Sequence, residues 1–187
     1  TIERVVISTY QSVSGAGKEA LAQLETQTRL MLSGMAPEET EFPIAFNVIP
    51  QIDVFTENGY TKEEMKMIQE TKKILADDSI QVTATCVRVP VFIGHSESVN
   101  IKTKTKLTVP EIRQLLDAMP GISVMDDTEN RVYPMPKPLA GKDDTFVGRI
   151  REDVSQENSF ELFIVSDNLR KGAALNAVQI AESLAKR

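Results

Sequence analysis

The stretch TCVRVPVFIGHSESVN, residues 85–100, holds the only cysteine (Cys86) and the only histidine (His95) of the 187-residue chain, with Arg88 seven residues before that histidine. It continues an alternation of β-branched and other residues that begins at Ile80, so residues 80–91 read as a strand. Pro90 removes one ladder donor and puts the end of that strand at an edge or a bulge. Downstream, VNIKTKTKL over residues 99–107 alternates strictly and sets Lys102, Lys104 and Lys106 on one side, as a strand with one face in water does. Gly94 just before His95 and Ser96-Glu97-Ser98 just after it place the imidazole at a strand end or loop, where functional groups tend to be presented. An imidazole takes or gives a proton near neutral pH, and a guanidinium grips a carboxylate with two parallel hydrogen bonds. Cys86 invites a nucleophile reading, yet its neighbours Thr85 and Val87 describe a small residue inside a sheet, and the structural role is the expectation.

Working outward, the composition is that of an ordinary globular protein: 41% hydrophobic, 26% charged and a formal net charge of -6. No block of Lys or Arg runs along one segment, which disfavours nucleic acid or an anionic membrane as partner and leaves a small molecule or a protein. A lone cysteine forms no internal disulfide, and no apolar run approaches the ~20 residues of a membrane span, so the expectation is a cytoplasmic protein. The chain opens in an apolar run, Ile2 to Ile7, and reads like the middle of a longer protein. No cluster of His and Cys has metal-ligand spacing, and no metal is expected.

Ile2–Tyr10 reads as a mostly buried strand. A small-residue turn, QSVSGAG at residues 11–17, leads into a helix carrying Ala20, Leu21, Leu24, Met31 and Leu32 up to Gly34. Free N–H groups at such a helix start suit an anion or the polar edge of a cofactor; a tight turn that needs glycine is the other reading. Pro37, Pro43 and Pro50 forbid a long helix over residues 37–58, and with Phe55 this segment offers an apolar surface to another subunit or is a packed loop. Thr61 and Glu64 have capping-box spacing, and Met65, Ile68, Lys72 and Leu75 follow on one helix face. Glu63 and Lys66 lie off that face as an i,i+3 pair, either an exposed ion pair or opposite charges offered to a ligand. Further on come a short helix over residues 109–119, a short strand from Ile122 to Met125, a proline-rich connector from Pro134 to Pro138, and strands at 145–151 and 160–166. Asp167 is placed to cap a final helix whose stripe is Ala174, Val178, Ala181 and Leu184, with Asn176 near its start.

Five segments, STYQSVSGAG at 8–17, FNVIPQID at 46–53, GYTKEEMKM at 59–67, RVPVFIGHSESVNI at 88–101 and DNLRKGAALNAVQIAE at 167–182, together resemble the aspartate-semialdehyde dehydrogenase family. The resemblance is to its C-terminal catalytic and dimerisation domain, in the family's order and over nearly the whole chain. It implies an α+β fold, a mixed and largely antiparallel sheet covered by helices, like the C-terminal domain of glyceraldehyde-3-phosphate dehydrogenase. It also implies that residues 1–187 form one substrate-binding and dimerisation domain, and that an N-terminal NADP-binding domain with the catalytic cysteine lies outside this chain.

Carried over by the resemblance, His95 is the acid/base residue and Gln11 helps position the substrate beside the thiol. Arg88 binds the substrate carboxylate, Glu63 faces its amine and Lys66 its phosphate, while Ser14, Gly15 and Asn176 lie near the nicotinamide of NADP. The implied reaction is the NADPH-dependent reductive dephosphorylation of aspartyl phosphate to aspartate semialdehyde by a homodimer, with this domain inactive alone. Two other readings stay open: a non-catalytic dimerisation or binding module of the same fold, and a reductase of a different amino-acyl phosphate.

Overall fold

The computed structural model describes residues 1–36 and 42–186. Its centre is a six-stranded mixed sheet. Strand β1 (Ile2–Gln11) is followed by a 3₁₀ turn (Val13–Ala16), helix α1 (Lys18–Leu32) and helix α2 (Lys62–Leu75) before the chain returns as β2 (Gln81–Arg88). Strand β3 (His95–Thr103), helix α3 (Val109–Asp117), β4 (Ile122–Val124), the short helix α4 (Pro136–Leu139), β5 (Thr145–Glu152) and β6 (Ser159–Ser166) follow, and a π-helical turn (Arg170–Ala174) runs into α5 (Leu175–Ala185). The order across the sheet is β2-β1-β3-β6-β5-β4; β1/β2 and β4/β5 are parallel, and the other three pairs antiparallel. The expected α+β sheet with helices against it is what the chain forms.

Successive strand side chains point to opposite faces. Register therefore stacks Ala84, Ile7, Val99 and Leu162 in one rung, and Val82, Val5, Ile101 and Phe160 in the next rung away from the C-terminal end of β1. Met67 of α2 and Ile112 and Leu116 of α3 pack on that face to close the core. Burial of this apolar face supplies the main drive for folding. On the opposite face Val6, Ser8, Tyr10, Asn100 and Phe163 are half-buried or exposed, and the Tyr10 and Phe163 rings lie 6.3 Å apart. So β1 is buried on one face only and is not the mostly buried strand its β-branched run suggests.

Helix α2 is fixed to the sheet through its own start. Thr61 and Glu64 form the expected capping box, in which the Glu64 carboxylate accepts from Thr61 N–H at 2.7 Å. The other oxygen of Glu64, buried, accepts from the Cys86 N–H of edge strand β2 at 2.9 Å. Residues 42–58 cross the surface without a helix and pair with β2 only where Ile49 and Arg88 exchange backbone hydrogen bonds; Pro37 lies outside the described residues.

Three elements differ from the sequence pattern. Strand β3 runs over residues 95–103, not 99–107: the Thr103 hydroxyl turns back onto the Thr105 carbonyl and the chain leaves the sheet. Lys104 and Lys106 therefore lie beyond the strand, and the alternation that continued through them is not a strand face. Strand β2 stops at Arg88, two residues before Pro90: Val89 N–H makes the last ladder bond, to the Gln11 carbonyl, and Pro90 has no N–H to offer. Asp167 does cap the last helix, accepting from Leu169 N–H and Arg170 N–H, but the first turn it caps is π-helical. The stripe of Ala174, Val178, Ala181 and Leu184 is exposed, with no surface to pack on among the described residues.

One glycine is demanded by sterics. A Cβ on Gly148 of β5 would overlap the Met125 carbonyl oxygen and the Pro134 ring, where residues 125–134 cross the sheet. Gly148→Ala is expected to lower stability by about 1–3 kcal/mol or more, the usual cost of overpacking. Urea unfolding reads this as a lower midpoint; a midpoint equal to that of the parent chain would show that the crossing segment yields.

Candidate active site

At the C-terminal end of β1 the core rungs turn polar. The rung after Ile7 holds Cys86, Thr9, Glu97 and Ile164, and the next pairs Arg88 with Gln11; one step past the last β1/β3 pair, Tyr10 with Ser96, His95 stands beside Gln11. Three adjacent strands in this register thus bring Arg88, Gln11 and His95, separated in sequence, to one face and one end of the sheet. Their convergence is seen at Gly15: a Cβ there would lie 3.4 Å from His95 Nε2 and 3.8 Å from Arg88 Nη1. The 3₁₀ turn thus lies directly over both side chains, at a distance where even a methyl on Gly15 would make ordinary van der Waals contact.

Helix α2 brings in the acidic side. Gln11 Nε2 donates to one Glu63 oxygen at 3.3 Å, and Lys66 Nζ donates to the other at 3.1 Å. Gln11 is itself held by the Thr9 hydroxyl, which donates to its side-chain oxygen at 2.9 Å. The Glu63 side chain is 22% exposed and that of Lys66 57%, so the ammonium faces solvent at the rim and the carboxylate lies inside it. The hydrogen bond and charge of Glu63 raise the Lys66 pKa, and the exposed pair itself adds little to stability.

Arg88 is half-buried, and Nη1 donates to the Ser12 carbonyl at 2.6 Å. Burial pulls its pKa down while Glu63 pulls it up; a guanidinium starts so high that the charge stays. One of five N–H donors is used there, leaving a fork for a planar anion. His95 is pushed down to about 4, first by burial and then by the adjacent Arg88 charge, with Glu63 and Asp167 opposing. Ser12 N–H donates to Nδ1 at 3.0 Å. Nδ1 therefore carries a lone pair, and the neutral ring has its proton on Nε2, the nitrogen that faces Gly15. Cys86 is fully buried, and burial raises its thiol to about 11, so it is inert as a nucleophile and fills the sheet as its neighbours implied.

Of the residues singled out in the sequence, Gln11, Glu63, Lys66, Arg88, His95 and Gly15 come together, and Ser14 lies behind them, its hydroxyl 3.1 Å from that of Ser12. Asn176 stands apart, exposed on α5 with no hydrogen bond to the cluster among the described residues. The asparagine that does enter is Asn168, eight residues earlier: its side chain meets Ser12, Ser14 and the Gly94 N–H. Sequence reading passed over Asn168 and Ser12, since a helix-start Asp-Asn pair and a serine in a small-residue turn are both ordinary. The usable signal was their position directly after the ends of the two strands that flank β3, β1 and β6.

Residues 1–171 match the family described as semialdehyde dehydrogenase, dimerisation domain. The aspartate-semialdehyde dehydrogenase of Aquifex aeolicus is 53% identical over 99% of this chain and 55% of its own length, and that of Bacillus subtilis 52% identical over 99% and 56%. The crystal structure of Vibrio cholerae aspartate semialdehyde dehydrogenase II complexed with ASA superposes with a TM-score of 0.93 at 49% identity, covering 99% of this chain and 55% of that one. The Candida albicans enzyme, solved with NADP, gives a TM-score of 0.69 at 25% identity over 99% and 51%. The chain spans about half the length of the curated relatives it matches, and over that half it belongs to the aspartate-semialdehyde dehydrogenase family, as a dimerisation domain of that kind.

Proposed function

We propose that this chain is the substrate-gripping half of an NADP-dependent aspartate-semialdehyde dehydrogenase, completed by an N-terminal domain that brings the cofactor and the catalytic thiolate. What supports the reading above all is the meeting of Arg88 and His95 against Gly15, with Glu63 reached through Gln11. A guanidinium fork, a carboxylate and an imidazole N–H in one place match an amino acid with a reacting carbonyl on its side chain.

In the biosynthetic direction the thiolate attacks the acyl carbon of aspartyl phosphate, phosphate leaves, and reduction of the resulting thioester gives a hemithioacetal that collapses to the semialdehyde. Arg88 holds the α-carboxylate and Glu63 the α-ammonium, so the reacting carbon is pinned at both ends, which removes much of the entropic part of the barrier. Gln11, already hydrogen-bonded to Glu63, orients that end. Lys66 at the rim faces the departing phosphate. His95 presents its Nε2 proton to the oxygen on which negative charge develops. The bare backbone of Ser14-Gly15 fits the flat edge of a nicotinamide better than a side chain would, and NADPH when bound supplies the hydride. Asn176 on α5, with the exposed stripe of that helix, faces the cofactor-binding domain in this reading.

The chain forms a homodimer through the uncovered sheet face around Tyr10 and Phe163, with the exposed apolar segment at Phe46, Val48 and Phe55 as a second contact. It works in the cytoplasm, where NADPH is available.

In the full-length enzyme, assayed as phosphate-dependent NADP reduction by aspartate semialdehyde, Arg88→Leu is expected to raise KM about 10–100-fold, the worth of a charge-assisted fork. His95→Ala is expected to lower kcat by ~10²–10⁴ with KM little changed. Near-normal constants in both variants would remove the role assignments, and turnover of another amino-acid semialdehyde in preference would reassign the substrate. Sedimentation of the chain is expected to give twice its monomer mass, and Tyr10→Asp to give a monomer; a dimer unaffected by Tyr10→Asp would move the interface elsewhere.

A further inference from the structure

Glu63 meets the substrate ammonium in the reading above, and the amide that anchors it is held in turn by a residue that has no part in that scheme. We propose that Thr9 is a positioning residue for this end of the site: its buried hydroxyl sets the direction of the Gln11 amide, so that a hydrogen-bond donor faces Glu63 and the carboxylate is held in place for an ammonium group. The proposal rests on the reading of Glu63 as the partner of the α-ammonium, and it makes Thr9 a determinant of selectivity for substrates that carry one.

Thr9 and Gln11 stand two residues apart on β1, so both point to the face of the sheet that carries the site. Thr9 Oγ1 donates to Gln11 Oε1 at 2.9 Å, and Gln11 Nε2 donates to Glu63 Oε1 at 3.3 Å. The main chain of Gln11 is fixed as well, its carbonyl accepting from Val89 N–H at 3.1 Å. On the far side of Thr9, Val87 N–H donates to Oγ1 in a long bond of 3.4 Å, and the Cys86 thiol lies within reach of the same hydroxyl. Thr9 is 2% exposed and Gln11 8%, so bulk water does not stand in for either partner.

An amide has a donor end and an acceptor end, and its neighbours decide which end goes where. An ionised carboxylate only accepts, so Nε2 must face Glu63, and Oε1 is left facing Thr9. A buried amide oxygen calls for a donor. The Thr9 hydroxyl has one proton to give. Val87 N–H is a donor that cannot be reversed, and a thiol is a weak acceptor, so that proton goes to Gln11. Hydroxyl, amide and carboxylate thus form a chain with a single direction; the reverse would set Gln11 Oε1 against a Glu63 oxygen. Valine in the place of Thr9 keeps the shape of the side chain and removes the donor. The amide oxygen is then buried without a partner, and the Gln11 side chain is free to turn away from Glu63.

In the full-length enzyme, Thr9→Val is expected to lower kcat/KM for aspartate semialdehyde about 3–30-fold, through KM, the worth of a hydrogen bond lost at a buried group. For succinate semialdehyde, the same aldehyde without the amine, kcat/KM should stay at the parent's value, since that substrate makes no use of Glu63. Thr9→Ser, which restores the hydroxyl, should restore the parent's ratio between the two substrates. In ¹H–¹⁵N spectra of this chain, the side-chain amide of Gln11 is the pair of signals missing from Gln11→Ala; Thr9→Val should move it toward the position of a free glutamine, and Thr9→Ser should not. Thr9→Ala removes the same hydroxyl and decides the matter where Thr9→Val does not fold. A folded variant without the hydroxyl that keeps the parent's Gln11 signals, or that slows both substrates equally, overturns the proposal. A parent enzyme that does not distinguish the two aldehydes would instead remove the reading of Glu63, while the spectra, which need no substrate, still decide whether Thr9 directs the amide.

Discussion

The register of β1 between a parallel neighbour on one side and an antiparallel one on the other is the constraint from which the site descends. In register, Gln11 pairs with Arg88 on β2, and the antiparallel partner β3 begins with His95 at the same level. A slip of one residue on either side would turn the incoming side chain to the opposite face. What forbids that slip is the core: Val5, Ile7, Val99 and Leu162 lie on the same face as the site, and moving them out of the apolar cluster would expose each of them to water. The apolar half of the sheet thus aligns the polar half.

That division also explains why the site is charged yet precise. Arg88 and Glu63 would attract each other over several ångströms if free to move, but each is anchored by a neutral partner, the Ser12 carbonyl for one and the Gln11 amide for the other. Such neutral anchors fix position without cancelling charge, which is left for a ligand. The outer ion pair, Glu63 with Lys66, has its ammonium at the exposed rim, where solvent lowers its strength.

Much of this was legible in the chain. The alternation before Arg88, the capping box at Thr61 and Glu64 and the proline density after Phe42 each named the right local structure, because each is set by backbone chemistry of a few residues. His95, Arg88, Glu63, Lys66 and Gln11 were singled out from linked motifs, and the fold does bring them together. Lys104 and Lys106 misled because period-two patterning persists in a chain that has already left the sheet; only the Thr103 turn, a local side-chain bond, ends it. Asn168 was missed for the opposite reason. Its partners are more than seventy residues away, at Gly94, Ser12 and Ser14, and no local pattern records a contact of that range.

The carboxylate of Glu64 has a meaning beyond helix capping. Strand β2 is the outermost strand on its side, and an outermost strand offers open N–H groups to any extended peptide that drifts near. Here the Cys86 N–H is already taken by Glu64, and Arg88 by Ile49. At the far margin β4 is only three residues long. One margin is thus partly occupied and the other short, which leaves little open edge for a further strand to add to a sheet rich in valine and isoleucine.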